Sequence, residues 1–274
     1  MSNYVTKSLE EQASDREQLA MYERIDREMY FAELQLTNKL VGIDTFELVG
    51  EADRKFSDKR ENELKTIQTD GVFDAQHLKD VHEFLFQDIY YFAGEYRTLD
   101  MEIDSVTRFC PARQIEARMK QWSEALAKDN NLQGLDKKTF CEKCAKHLTE
   151  LNRIHPFREG NGRSKRAFFT QLSKAAGYNL DWSACSPDEW KMADASAFDN
   201  ARDGQYNDEY LRFLLNRAVS PMSSAAGNTK VMGTSTPVTA PTSPLKDMVK
   251  NMPARSMMGN SGAVVASSSF NFME

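Results

Sequence analysis

His155-Pro-Phe-Arg-Glu-Gly-Asn-Gly-Arg-Ser-Lys-Arg166 is the stretch on which the reading of this chain turns. Upstream, Phe140, Cys144, Leu148 and Leu151 recur at helical spacing, so an amphipathic helix runs to about Ile154. Pro156 disfavours helical backbone at the residue before it and marks that helix's end. Downstream, Ala167, Phe168, Leu172 and Ala175 keep the same period, predicting a helix over Ser164 to Ala176 with Gly177 as its stop. Between the two lies a tight loop in which Gly160 and Gly162 allow turns and close ligand approach that a Cβ would resist. The loop opens onto a helix N-terminus, whose unpaired amides and dipole favour an anion such as a polyphosphate. Arg163 and Arg166, three apart on the first turn, supply forked donors for phosphate oxygens. Glu159 offers a hard oxygen ligand suited to Mg²⁺ on phosphates, and His155 has the imidazole suited to a general base near neutrality. Together these residues form the equipment for moving a phosphorus-containing group from a nucleotide onto a hydroxyl.

Working outward, Leu19, Tyr22, Ile25 and Met29, and again Val81, Phe84, Leu85 and Ile89, keep helical steps, so the body is mainly α. Between Tyr96 and Pro111, Leu99, Met101 and Ile103 alternate with polar neighbours, which predicts a short β-hairpin. After Ser220 the chain turns rich in Ser, Thr, Pro and Gly and holds five of the eight prolines, which predicts a disordered tail over 221–274. The 274 residues carry a net charge of -6, with Asp+Glu 41 against Lys+Arg 35, a balance that argues against gripping nucleic acid through phosphates. No run of about 18 apolar residues exists and the first twenty residues lack an apolar signal core, so the expected setting is cytoplasmic, without a membrane span. Cys110, Cys141, Cys144 and Cys185 read as reduced thiols. Cys141 and Cys144, with His147 nearby, lack the partners of a zinc site and read as packing residues. His77, His82 and His147 read as surface or helix residues, and Trp122, Trp182 and Trp190 as core or pocket-edge aromatics.

The central stretch resembles the signature of Fic proteins, H-x-F-x-[D/E]-G-N-G-R-x-x-R, at every fixed position: His155, Phe157, Glu159, Gly160, Asn161, Gly162, Arg163 and Arg166. Leu36–Leu40, Ile89–Arg97, Thr107–Pro111 and Ala176–Trp182 are also similar to Fic segments. The resemblance implies a mainly α Fic fold of six to eight helices with a hairpin flap, divided as 1–30 N-terminal helical extension, 31–220 Fic domain and 221–274 tail. It implies protein adenylyltransferase activity, with AMP passing from ATP to a Ser, Thr or Tyr hydroxyl of a target. His155 would be the base and Glu159 the Mg²⁺ ligand; Gly160, Asn161 and Gly162 would cradle phosphate, and Arg163 and Arg166 would hold the pyrophosphate portion. Phe157 would anchor the loop, and Arg108, Phe109 and Cys110 would end a flap that registers an extended target segment.

Similar proteins are restrained by a helix bearing [S/T]-x-x-x-E-[G/N], whose glutamate pairs with the second motif arginine, here Arg166. Ser57 to Asn62 fits that pattern through Ser57 and Glu61, inside the first core helix, and a separate small antitoxin is the favoured alternative. Two settings fit the resemblance, the first being the preferred expectation: a bacterial toxin acting on a type II topoisomerase subunit, or, as the alternative, an effector delivered into a host cell to act on a small GTPase. The rivals to AMP transfer are a Fic-fold transferase moving UMP, phosphate or phosphocholine, and a catalytically idle interaction module.

Overall fold

The computed structural model describes Lys39 and residues 46–67, 71–102, 109–199 and 207–222. The described residues form seven α-helices and two short strands: α1 (Phe46–Leu64), α2 (Ala75–Phe86), α3 (Ile115–Lys128), α4 (Lys137–Ile154), α5 (Asn161–Ala175), β1 (Tyr178–Leu180), α6 (Pro187–Asp199), α7 (Glu209–Ala218) and β2 (Val219–Pro221). Two starts are capped by carboxylates. Asp74 accepts from the His77 amide ahead of α2, and Asp136 accepts from the Thr139 amide ahead of α4, each satisfying a donor that the first turn leaves unpaired.

Helix α4 lies at the centre. It packs against α3, α5, α6 and α7, and Phe140, Cys144, Leu148 and Leu151 all face the core, as their spacing predicts. Around them gather Met119, Trp122, Phe168, Phe169, Leu211 and Leu214. A second, smaller core forms where α1 and α2 meet α5, built on Val81, Phe84, Leu85, Phe86, Ile89 and Tyr90. Each phenylalanine fully buried in these cores contributes about 1.5–3 kcal/mol, so α1 and α2 are held to the rest of the body mainly by this apolar seam. The motif helix α5 is wedged between the two cores through Ala167 on one side and Phe168 on the other.

Some expectations need correction. His77, His82 and His147 lie on helices, as one half of their reading has it, but they are buried there rather than superficial. Each sits on an inward helix face and finds a polar partner there; His77 Nε2 meets Gln171 Oε1 at 2.8 Å, and His147 Nε2 meets Asp129 Oδ2 at 2.8 Å while its carbonyl accepts from the Trp122 indole at 3.2 Å. The hairpin expected over Tyr96 to Pro111 is represented by one bridge at Glu102 and one bond from the Phe109 amide to the Met101 carbonyl at 3.2 Å. Other main-chain groups of its two arms are bonded elsewhere: the Leu99 carbonyl accepts from Arg97, and the Cys110 amide donates to Arg153. Residues 103–108, including Arg108, lie outside the described residues, as do 1–30 and the tail beyond Met222. The only sheet among the described residues pairs β1 with β2 antiparallel, Tyr178 opposite Pro221 and Leu180 opposite Val219. The body therefore continues through Pro221, past the boundary read at Ser220, because that strand docks the chain onto the turn after α5.

Candidate active site

Helix α4 ends at Ile154, and His155 follows in the left-handed region at φ 47° and ψ 65°. The proline that follows disfavours right-handed helical backbone at His155, and the amide of His155 still closes the last turn onto the Leu151 carbonyl at 3.0 Å. The imidazole is thereby turned out of the helix. One face stacks on Phe109 with centroids 3.8 Å apart and planes at 21°. Nδ1 is buried without a well-aligned hydrogen bond, and the Asn152 main chain beside the ring favours its charged form. Burial, followed by the neighbouring Lys165 and Arg97 cations, pushes the imidazole pKa down to about 3, so the ring is neutral across the physiological range. Beside it lies a cavity of about 10 Å³, room for about one water, lined by His155, Asn152, Phe157, Asn161 and Lys165. Lys165 is itself buried and donates to Asp194 Oδ2 at 2.7 Å and Asn152 Oδ1 at 3.2 Å.

Beyond His155 the loop is closed from both sides. Asn161 accepts the Phe157 amide on Oδ1 at 2.9 Å and donates Nδ2 to the Phe157 carbonyl at 2.8 Å. One donor and one acceptor of its carboxamide thus hold the loop itself, leaving the second Nδ2 proton for another partner. Phe157 is 1% exposed and stacks on His82 with centroids 3.8 Å apart. The Gly94 amide donates to His82 Nδ1 at 2.8 Å, so the proton must sit on Nε2, which donates to the Glu159 carbonyl at 2.9 Å. Burial lowers the His82 pKa to about 3, which keeps this neutral tautomer. Gly160 has φ 78°, and a Cβ there would collide with the ring of Phe86. Only glycine satisfies both constraints.

Helix α5 begins at Asn161, three residues earlier than its apolar period suggests, because the Asn161 side chain and the Gly160 turn start the ladder early: the Ser164 amide already reaches the Gly160 carbonyl at 3.0 Å. No side chain caps this N-terminus. The first amides are therefore free to meet an anion.

The two motif arginines differ. Arg163 turns inward: its guanidinium makes a forked pair with Asp53 of α1 at 2.7 and 2.9 Å, donates to the Ser57 hydroxyl at 2.8 Å, and lies 4.6 Å from the Phe86 ring centre. Burial opposes its charge, but the bonds to Asp53 outweigh that and hold its pKa above the ordinary value. Tyr90 donates to the same carboxylate at 3.0 Å. Arg163 therefore serves the scaffold in this arrangement, contrary to the expectation that both arginines face phosphate. Arg166, one turn on, bonds no carboxylate among the described residues and is the arginine open to a ligand. Ser57 thus meets the first motif arginine rather than the second, and Glu61 lies 3.9 Å from Lys65 Nζ while lining a cavity of about 40 Å³ with Ala167 and Thr170.

Glu159 points its Oε1 at the Gly160 amide, 2.9 Å away, and lies 3.5 Å from the Arg163 guanidinium. No group of three or more His, Cys, Asp or Glu residues could hold a metal by itself among the described residues. A lone carboxylate beside an anion site fits Mg²⁺, which takes one or two carboxylates and leaves its other positions to water and phosphates. Of the flap residues, Phe109 covers His155 and half-buried Cys110 offers its carbonyl to Arg97. Trp182 and Trp190 pack edge to face at 4.9 Å, and the Trp182 indole donates to Thr170, whose hydroxyl donates back to the Arg166 carbonyl.

The sequence reading missed Asp53, His82, Arg97 and Asp194. His82 left a signal: it stands at helical spacing from Leu78, Leu85 and Ile89, and so on the buried face. Asp53 left none, since its partner is 110 residues away.

Comparison with known proteins places this geometry. Residues 72–173 match the Fic/DOC family. Protein adenylyltransferase VbhT of Bartonella schoenbuchensis is 36% identical over 159 residues, 58% of this chain and 33% of that protein. The probable protein adenylyltransferase Fic of Escherichia coli is 38% identical over 120 residues, 44% of this chain and 60% of that protein. The chain thus spans less than two thirds of these curated relatives. The BepC effector of Bartonella tribocorum, solved with bound AMPPNP, superposes with a TM-score of 0.60 at 26% identity, covering 68% of this chain and 92% of that one. No helix among the described residues is long and apolar enough to cross a membrane. Over residues 72–173 this chain matches the Fic/DOC family, and through that stretch it is similar to protein adenylyltransferases.

Proposed function

We propose that this chain is a protein adenylyltransferase that moves AMP from ATP to a hydroxyl side chain of a target protein. The observation that carries the reading is the pairing of a neutral imidazole on His155, set beside a small cavity, with the uncapped N-terminus of α5 just beyond it. Phosphate groups set against the α5 amides and Arg166 would be held by donors that need no rearrangement. His155 Nε2 takes the proton from the target hydroxyl as its oxygen bonds to the α-phosphorus, and the bond from that phosphorus to the α,β-bridging oxygen breaks to release pyrophosphate. The left-handed corner at His155 and the Phe109 ring fix the imidazole's direction. Glu159 would hold Mg²⁺, which when bound neutralises phosphate charge. The AMPPNP seen in BepC and the ADP bound to a Bartonella quintana Fic domain support a nucleotide in this cleft.

Restraint by a separate antitoxin fits better than restraint by Glu61, since Ser57 meets Arg163 and no bond joins Glu61 to Arg166 among the described residues. A toxin acting on a type II topoisomerase subunit and an effector acting on a GTPase are both compatible with this site. The VirB-translocated relatives favour the effector. Incubation of the chain with lysate and ATP labelled at the α or the γ position tests the reaction. Label should reach protein from the α position only, and not with His155→Ala; transfer from the γ position, or equal labelling by the variant, would overturn the proposal.

A further inference from the structure

Arg97 is buried, at 4% exposed, and no carboxylate bonds it among the described residues. Its guanidinium instead gathers main-chain carbonyls from three places. Nε donates to His155 at 2.8 Å, Nη1 to Leu99 at 2.7 Å, and Nη2 to both Cys110 and Ile154, the latter at 3.2 Å. Leu99 lies on the outgoing arm of the flap and Cys110 on the returning arm. Ile154 and His155 carry two of the carbonyls that the end of α4 leaves unpaired. Main-chain bonds reinforce the junction: the Arg97 amide donates to Pro156 at 2.9 Å and the Cys110 amide to Arg153 at 3.0 Å. A planar five-donor fork can reach these carbonyls at once. A lysine ammonium, with three donors on one point, cannot span them. Burying a cation against carbonyls alone is costly, and the helix end offsets it because the carbonyls of α4 carry the negative end of its dipole.

We infer that Arg97 is a positioning residue that locks the base of the flap to the backbone of His155, fixing the distance between a target segment held at the flap and the imidazole that takes its proton. The inference rests on the adenylyltransferase reading for its functional half only. Arg97 touches neither the α5 N-terminus nor Arg166, so it sets the approach of the target and leaves the nucleotide alone.

The test is Arg97→Lys in the full chain, with two readouts. Hydrogen–deuterium exchange should rise together in 98–102, 109–111 and 151–157, by about tenfold to a hundredfold for the loss of hydrogen bonds to a charged donor, while α3 and α7 stay as in wild type. A rise throughout the domain, on one side of the junction only, or nowhere would overturn the inference. Label transfer from α-labelled ATP to lysate protein should fall by a similar factor with KM for ATP unchanged, and a matching rise in KM for ATP would overturn the positioning role. If the wild-type chain transfers no label, the functional reading fails, and the exchange data still decide whether Arg97 couples flap and loop. Should Arg97→Lys not fold, the wild-type amides of Arg97 and Cys110 decide: they should exchange in step as one opening unit, and unequal protection would refute the coupling.

Discussion

Replacing Gly160 with alanine isolates the closure of the loop in a single atom. Two costs add. The backbone at φ 78° is left-handed, which an L-residue adopts at about 1–2 kcal/mol. The new methyl also meets the Phe86 ring, which cannot retreat freely because it is fully buried and lies between His82 and the Arg163 guanidinium; overpacking of this kind costs about 1–3 kcal/mol. The sum is about 2–5 kcal/mol. Gly134 is the control, since it has φ 75° and open space around its missing Cβ, so Gly134→Ala should cost about 1–2 kcal/mol. Urea unfolding at constant m-value measures both. Adding Phe86→Leu to Gly160→Ala should recover the collision but not the backbone cost, giving a favourable coupling of about 1–3 kcal/mol in a double-mutant cycle. Equal losses for the two glycines, or no coupling with Phe86, would refute the argument that Phe86 holds the loop shut.

Further outcomes follow from the same geometry. The folded pKa of His82, about 3, lies below its unfolded value near 6.5, so between those values the unfolded chain binds a proton that the folded chain refuses. Stability should be flat above about pH 6.5 and fall by about 3 kcal/mol on going to pH 4.5 through this residue alone; urea midpoints for His82→Gln should show a shallower acid loss, and an identical profile would contradict it. Asp53→Asn should destabilise by about 3–5 kcal/mol by leaving the buried Arg163 cation poorly compensated, and adding Arg163→Met should restore part of that in thermal or urea unfolding. Glu61→Gly should leave label transfer unchanged in the chain alone, whereas a large rise would establish self-restraint through that residue.

Local signals made much of this molecule legible. The apolar period marked α4, Pro156 its end and Gly177 the end of α5, because each acts within a turn or two of itself. The motif likewise stood out, since an imidazole, glycines and arginines fell within one loop. What stayed hidden depends on partners distant in sequence. Arg163 reads as a phosphate ligand until α1 brings Asp53 and Ser57 against it. His82 reads as an ordinary helix residue until Gly94 and Glu159 fix its tautomer from both sides. Arg97 looks like one charge among many, and only the fold shows it gathering carbonyls from three segments. The three-residue strands β1 and β2 were too short for any period to show, and their pairing is set by the docking of α7.

The account depends most on His155 acting as base rather than as a binding group. Calorimetric titration of a non-hydrolysable ATP analogue with Mg²⁺ into wild type and His155→Ala, alongside α-label transfer by both, addresses this directly. The account predicts equal nucleotide affinity with transfer abolished in the variant; loss of nucleotide binding, or transfer persisting without the imidazole, would contradict it.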